Sequence, residues 1–344
     1  MKRWTAMVVF VALAGAIPTA RGQEIFDVKP VAPGVYSAIA RPHKPDNANS
    51  AFVILSEGVL VVDSASTPSS ARALIAEIRK LTDKPVRYLV NTHYHWDHYW
   101  GNEAFVAAFP QVEIISTADT RRDMETKELG NALLIDWRKR IPEVIEQFRK
   151  DLVATPDQER KAALHWRIEQ WSAATVEFQS MAPALPKLTF ERRLVIDDSA
   201  GPVEILWLGK GHTPGDAVVY LPRRTVVITG DLLAGDTPYI AEVSPIEWTR
   251  TLENLERLDF DWAIPGHGDV MRGKARLDLW KAYFRGLMAE TSAASSAGAS
   301  LDDVQKRVVP VLKGRYATRF DETFPDTVAG NVEAAFRFVR ESRN

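Results

Sequence analysis

Residues 92–98 read Thr-His-Tyr-His-Trp-Asp-His, which puts His93, His95, Asp97 and His98 within six positions. Neutral imidazole nitrogen and carboxylate oxygen are preferred donors for borderline divalent cations such as zinc. Two further histidines stand in glycine-rich turns, Gly211-His212-Thr-Pro-Gly-Asp216 and Pro265-Gly-His267-Gly268. Between them, Val226-Val-Ile-Thr-Gly-Asp231 ends in a carboxylate. Five of the seven histidines belong to this set. A metal ion held by such donors lowers the pKa of water and supplies a nucleophile without a side-chain base.

The elements around these donors read as strand ends. Val86-Arg-Tyr-Leu-Val90, Val203–Leu208, Val226–Thr229 and Asp261–Ile264 are short, apolar or β-branched runs, each followed by one of the donor turns. A rigid scaffold that presents loops at strand ends is the usual support for a site. Helical spacing follows in Ser69–Leu81 (Ala71, Leu74, Ile75 and Ile78 on one side), Glu103–Phe109, a segment near 245–257 and another from about 274. Glu24–Ala40, Ser50–Val62, Val112–Ile115 and 217–221 read as further strands. The alternation predicts an α/β fold with helices packed on sheets.

Segment 117–182 carries helical spacing throughout, through Leu134, Trp137, Ile141, Val144, Phe148 and Leu152. Pro142 is expected to start a second helix there, and Thr155-Pro-Asp-Gln158 to open a third as a capping box. The segment reads either as a lid over a cleft or as part of an outer helical layer. His165 lies mid-helix and reads as a surface residue. The tail, 300–344, is helical with an apolar stripe that fits core packing or a homodimer contact equally.

Composition narrows the function classes. The chain has 344 residues, 46% hydrophobic, and can bury a large core. A formal charge of −2 gives no reason to expect a polyanion partner such as nucleic acid, and the expected partner is a small-molecule substrate. There is no cysteine, which excludes disulfides and thiolate ligands. Lys2 and Arg3 precede the apolar run Ala6–Ile17, and Ala20-Arg-Gly22 offers small residues for cleavage. Residues 1–22 therefore read as a signal peptide, and the mature chain as exported, periplasmic or extracellular, with no membrane span. The organisation expected is a catalytic domain over 23–299, containing the 117–182 insertion, and a helical extension over 300–344.

The chain resembles the metallo-β-lactamase fold superfamily of metal hydrolases. The resemblance rests on Thr92-His93-x-His95-x-Asp97-His98, Gly211-His212-Thr-Pro-Gly215, Thr229-Gly-Asp231 and Gly266-His267-Gly268. It extends to Asn49–Asp63, which is similar to the family's early hairpin ending in aspartate, and covers about residues 25–285. It implies an αββα sandwich of two packed mixed sheets with outer helices. It also implies two zinc ions, with iron or manganese as alternatives. His93, His95 and His212 would hold the first, Asp97, His98 and His267 the second, and Asp231 would bridge them. Asp97 would be the catalytic residue, positioning a metal-bound hydroxide.

The same resemblance makes Asp63 either a partner that fixes a ligand imidazole or a plain strand-end cap. Trp100 stands where the family often has glycine and reads as a substrate wall or as core filling. His43 lies in a polar loop and is either a substrate contact or solvated. Aspartate at 231 is typical of thioesterase, lactonase and phosphodiesterase branches rather than of dedicated β-lactamases. The expected reaction is hydrolysis of an ester, thioester, lactone or lactam. The alternatives are a β-lactamase proper, a one-iron enzyme resembling persulfide dioxygenases, and a non-catalytic periplasmic metal-binding protein.

Overall fold

A computed structural model of the chain describes residues 25–41, 48–129, 133–295, 298–321 and 323–342. The expected signal segment and His43 lie outside the described residues. The apolar runs of the first half form a seven-stranded sheet: β1 (Phe26–Ala32), β2 (Val35–Ala40), β3 (Ser50–Ile54), β4 (Val59–Val62), β5 (Val86–Val90), β6 (Glu113–Thr117) and β7 (Leu188–Phe190), in that spatial order. Strands β1 to β4 pair antiparallel, and β4 to β7 pair parallel. The parallel pairs require crossovers. These include α1 (Pro68–Leu81), the short α2 (Trp96–Tyr99) and α3 (Asn102–Ala108). Helix α1 begins where sequence chemistry allows: the Thr67 hydroxyl accepts the Ser70 N–H, and Pro68 sits in the first turn.

The second half forms a six-stranded sheet in the order β13 (Met271–Arg272), β12 (Trp262–Pro265), β11 (Val226–Gly230), β10 (Ala217–Leu221), β9 (Val203–Trp207), β8 (Arg193–Ile196). Its one parallel pair is β11–β12, spanned by α7 (Pro245–Glu256). Three helices follow: α8 (Ala275–Ala294), α9 (Leu301–Tyr316) and α10 (Phe324–Glu341).

Three apolar clusters define four layers. Val53, Leu60, Val62 and Val90 of the first sheet meet Ile205, Val219, Ile228 and Ile264 of the second. The opposite face of the first sheet buries Val61 and Leu89 against Leu74, Ile75 and Ile78 of α1 and Phe105 of α3. Each such aliphatic side chain removed from water contributes about 1.5–3 kcal/mol. The outer face of the second sheet packs Val218 and Val227 against Trp248, Trp280 and Phe284. This is the αββα sandwich of two mixed sheets. The 301–341 helices complete the last cluster, where Val308, Leu312, Phe324 and Val332 are buried. Core packing therefore accounts for the apolar stripe of the tail.

Segment 117–182 folds as α4 (Ala118–Asp123), one π-helical turn (Met124–Leu129), α5 (Leu133–Ala154) and α6 (Gln158–Ser180). Two expectations fail here. Pro142 lies inside α5 rather than at the start of a helix. The flanking Ile141 and Ile145 are buried, so packing carries the helix past the proline's missing N–H. The cap of α6 is Asp157, whose carboxylate accepts the Arg160 N–H at 3.0 Å, not Thr155. Among the described residues, no helix is long and apolar enough to cross a membrane.

Candidate metal centre

The seven sequence-predicted donors meet at one edge of the sandwich, where strand ends of both sheets converge. One ligand atom from each of His93, His95, His212 and Asp231 lies within 4.8 Å of the others in that group. The same holds for Asp97, His98 and His267. Asp231 stands between the groups: its Oδ2 is 3.5 Å from His212 Nε2, 3.4 Å from His267 Nε2 and 3.8 Å from His93 Nε2, while Oδ1 is 3.4 Å from His98 Nε2. Asp97 Oδ2 lies 3.4 Å from His267 Nε2 and 3.6 Å from His98 Nε2.

Asp63, at the end of β4, orders the first-sheet donors. Its Oδ2 accepts from His98 Nδ1 at 2.8 Å and from the Thr92 hydroxyl at 2.8 Å, and its Oδ1 accepts the Thr92 N–H at 2.8 Å. With its hydroxyl proton given to Asp63, Thr92 accepts from His93 Nδ1 at 3.0 Å. Both imidazoles are thereby turned so that Nε2 faces the cage. Asp63 is thus both a strand-end cap and an imidazole partner. Its backbone has φ 59°, in the left-handed region that costs a non-glycine residue energy and clusters at functional sites.

The second-sheet donors are held by their turns. The Asp216 carboxylate receives the Thr213 hydroxyl at 2.6 Å and the Thr213 N–H at 3.0 Å, closing the turn that carries His212. His267 follows Gly266, where a Cβ would come within 2.1 Å of Asp231 Oδ1, so only glycine fits. Asn49 donates its amide to Pro265 O at 3.0 Å and Gly268 O at 2.7 Å, tying the His267 turn to the first sheet.

His95 is oriented differently. Its Nδ1 lies 2.8 Å from His212 Nε2, and its Nε2 lies 3.8 Å from Glu242 Oε1. Glu242 in turn receives the Tyr94 hydroxyl on Oε1 and the Lys127 ammonium on Oε2. Sequence reasoning missed Glu242, because the segment between β11 and α7 has no periodicity to mark it. The roles of Asn49, Thr92 and Asp216 were also missed, although all three stand inside quoted motifs.

Burial, with the His98 charge adding to it, holds His93 well below the ordinary imidazole range. Burial and His95 lower His212 to about 4. His98 and His267 go the other way. Burial opposes their charge, but Asp231 and Asp97 raise both, with Asp63 adding at His98. For Asp231, burial is overcome by His267 and His98, and the carboxyl falls well below its usual range. Asp97 falls to about 2 in the same way. In the metal-free chain the imidazoles of His98 and His267 and the carboxylates of Asp231 and Asp97 thus favour one another's charged forms.

The donor chemistry fits metal ions. His93 Nε2, His98 Nε2 and Asp231 Oδ1 are buried and make no hydrogen bond. Such atoms are costly unless something else satisfies them. All seven donors are nitrogen or oxygen, the set that zinc, iron, cobalt or manganese accepts. The cage opens into a cavity of about 570 Å³ walled by Tyr94, Trp96, Tyr239 and Trp248, with Lys127 and Asp236 also lining it. Trp100 does not line this cavity: it is buried with Phe178, Met124 and Ile141 beneath the insertion, and Trp96 takes the wall. His165 is exposed on α6.

Two sheets packed face to face, with a histidine–aspartate cage at their shared edge, define a metal-dependent hydrolase. The chain belongs to the metallo-beta-lactamase superfamily, whose model matches residues 43–267. Among curated proteins it is 25% identical over 235 residues to a linear primary-alkylsulfatase of Pseudomonas sp., covering 64% of this chain and 42% of that one. It is 21% identical over 228 residues to a metallo-beta-lactamase type 2 of Elizabethkingia meningoseptica, covering 64% and 69%. In fold it is similar to a stereoselective inverting sec-alkylsulfatase from Pseudomonas sp., with TM-score 0.65, 18% identity and coverage of 91% of this chain and 50% of that one. The DIM-1 metallo-beta-lactamase gives TM-score 0.52 at 17% identity, covering 76% and 97%. The chain therefore spans about half the length, or less, of the alkylsulfatases it matches.

Proposed function

We propose that the chain is a dinuclear zinc hydrolase that cleaves an ester, thioester, lactone or lactam bond of a small molecule after export. The placement of Asp231 carries this reading: one carboxylate faces donors of both groups, at 3.4 Å to His98 on Oδ1 and 3.5 Å to His212 on Oδ2. A single-ion site would leave one group of buried imidazoles without a partner. His93, His95 and His212 would hold one ion, Asp97, His98 and His267 the other, with Asp231 shared. Ions bound there supply Lewis acidity and bring the pKa of water toward neutrality.

The chain's own residues then have defined tasks. Asp97 lines the cavity beside the second group of donors, so its carboxylate is placed to orient the attacking water. Asp63 and Thr92 keep His98 and His93 in one tautomer. Tyr94, Trp96 and Tyr239 offer aromatic faces to the substrate's apolar part. Lys127, the one lysine or arginine among the described residues lining the cavity, is already engaged by Asp123 and Glu242. The cavity walls therefore suit an uncharged acyl group.

A sulfate ester is the second reading, supported by the likeness to alkylsulfatases. Metal analysis of the purified chain, with a panel of lactones, thioesters, carboxylic esters, lactams and alkyl sulfates, separates these readings. The expected result is about two zinc ions per chain and turnover of an uncharged acyl substrate. Asp97→Ala should reduce that turnover about 100-fold or more while the chain stays folded. A single iron per chain with no hydrolysis of any substrate overturns the reading.

A further inference from the structure

We propose that Glu242 is a positioning residue for His95, and that Lys127 ties the helical insertion to the metal cage through it. The inference rests on the metal-hydrolase reading above. Two ligand histidines of the first sheet have their Nδ1 atoms engaged, His98 by Asp63 and His93 by Thr92, so both present Nε2. His95 alone in the motif turns Nδ1 inward, toward His212 Nε2 at 2.8 Å. Its outer nitrogen, Nε2, then needs an acceptor of its own to hold the ring in that sense. The carboxylate it faces is Glu242, with Oε1 3.8 Å away.

Glu242 is itself clamped. The Tyr94 hydroxyl donates to Oε1 and the Lys127 ammonium to Oε2, so the carboxylate plane is fixed from both sides. Lys127 also bridges to Asp123 at 2.9 Å and lies 4.7 Å from the centre of the Tyr94 ring. Lys127 belongs to the π-helical turn 124–129, a kind of irregularity that is frequent at functional sites. The chain of contacts therefore runs from the insertion, through Lys127 and Glu242, to one side of the cage only. Asp97, His98 and His267 have no part in it. The 117–182 segment thereby acquires a task beyond covering the sandwich: its first turns set the orientation of one ligand ring.

The test uses the full chain and measures stepwise zinc affinity by competition with a chromophoric chelator, together with the cobalt(II) absorption spectrum and thermal stability. Glu242→Ala should weaken one of the two ion-binding steps by about 10- to 100-fold and leave the other within two-fold. The cobalt bands of the weakened site should shift. Glu242→Gln should recover most of the loss, since its amide oxygen keeps an acceptor facing the outer nitrogen of His95. Lys127→Met should weaken the same step by a smaller factor. Equal affinities for both steps in Glu242→Ala and the parent chain overturn the inference. So does a drop in thermal stability with both steps and the cobalt bands unchanged, which would make Glu242 a support of the fold alone. A parent chain that binds no ion overturns the metal-hydrolase reading itself, before any variant is made.

Discussion

The ligand rings of the cage are built on different foundations. His98 leans on Asp63, a buried carboxylate at the end of β4 that also grips Thr92, the partner of His93. His267 is fixed by Asn49, which crosses between the sheets. His95 instead is oriented by Glu242 from an irregular segment and Lys127 from the insertion. His95 is thus set by additions to the sandwich, whereas His93, His98, His212 and His267 are set by the sandwich itself. The comparison teaches that a fold can hold most ligand rings from its own strand ends while elements outside its core orient one neighbour.

The largest effect expected from breaking a support within the sandwich comes from Asp63→Ala. It leaves His98 Nδ1, the Thr92 N–H and the Thr92 hydroxyl without their buried acceptor, each worth about 1–3 kcal/mol. Urea unfolding of the metal-free chain should show a loss of about 3 kcal/mol or more, well above that of Glu242→Ala. Gly266→Ala strikes where the two donor groups meet, since the new methyl group would displace the Asp231 carboxylate that both share. Metal analysis should show both ions weakened together, rather than one as for Glu242→Ala, with turnover reduced about 100-fold.

Asp236 sharpens the comparison through pH. Burial raises its carboxyl to about 6, with His267 offsetting part of the rise and Asp231 and Asp321 adding to it. A carboxyl raised above its unfolded value of 3.8 gives stability that is complete below about pH 4 and is lost as pH rises through about 6. In the metal-free chain, Asp236→Asn should therefore match the parent near pH 4 and melt higher near pH 8. Equal melting temperatures at pH 8 would place the strain elsewhere. The smallest effect belongs to the insertion: Pro142→Ala restores an N–H inside α5 and should raise the melting temperature by about 2 °C, with turnover unchanged.

The donors were legible however their rings are held. Each follows an apolar strand run, and strand ends are marked by period and composition. His93, His95, Asp97, His98, His212, Asp231 and His267 could all be read that way, as could the layered α/β architecture. Glu242 could not, because a single carboxylate in an aperiodic stretch has no local signal. The short β7 and β8 passed unnoticed for the same reason, three and four residues being too few to show alternation. Pro142 and Thr155 misled because local helix rules were overruled, by the packing of Ile141 and Ile145 in one case and a stronger neighbouring cap, Asp157, in the other. Trp100 was undecidable between wall and filling until its contact with Phe178 was seen.

The division of donors between the sheets bears on how the protein matures. His93, His95, Asp97 and His98 leave the ribosome more than a hundred residues before His212, and His267 comes later still. Neither donor group is complete on the nascent first half, since one needs His212 and Asp231 and the other needs His267. A fully coordinated ion therefore certifies that both halves have folded and docked, and reinforces the edge that Asn49 already ties.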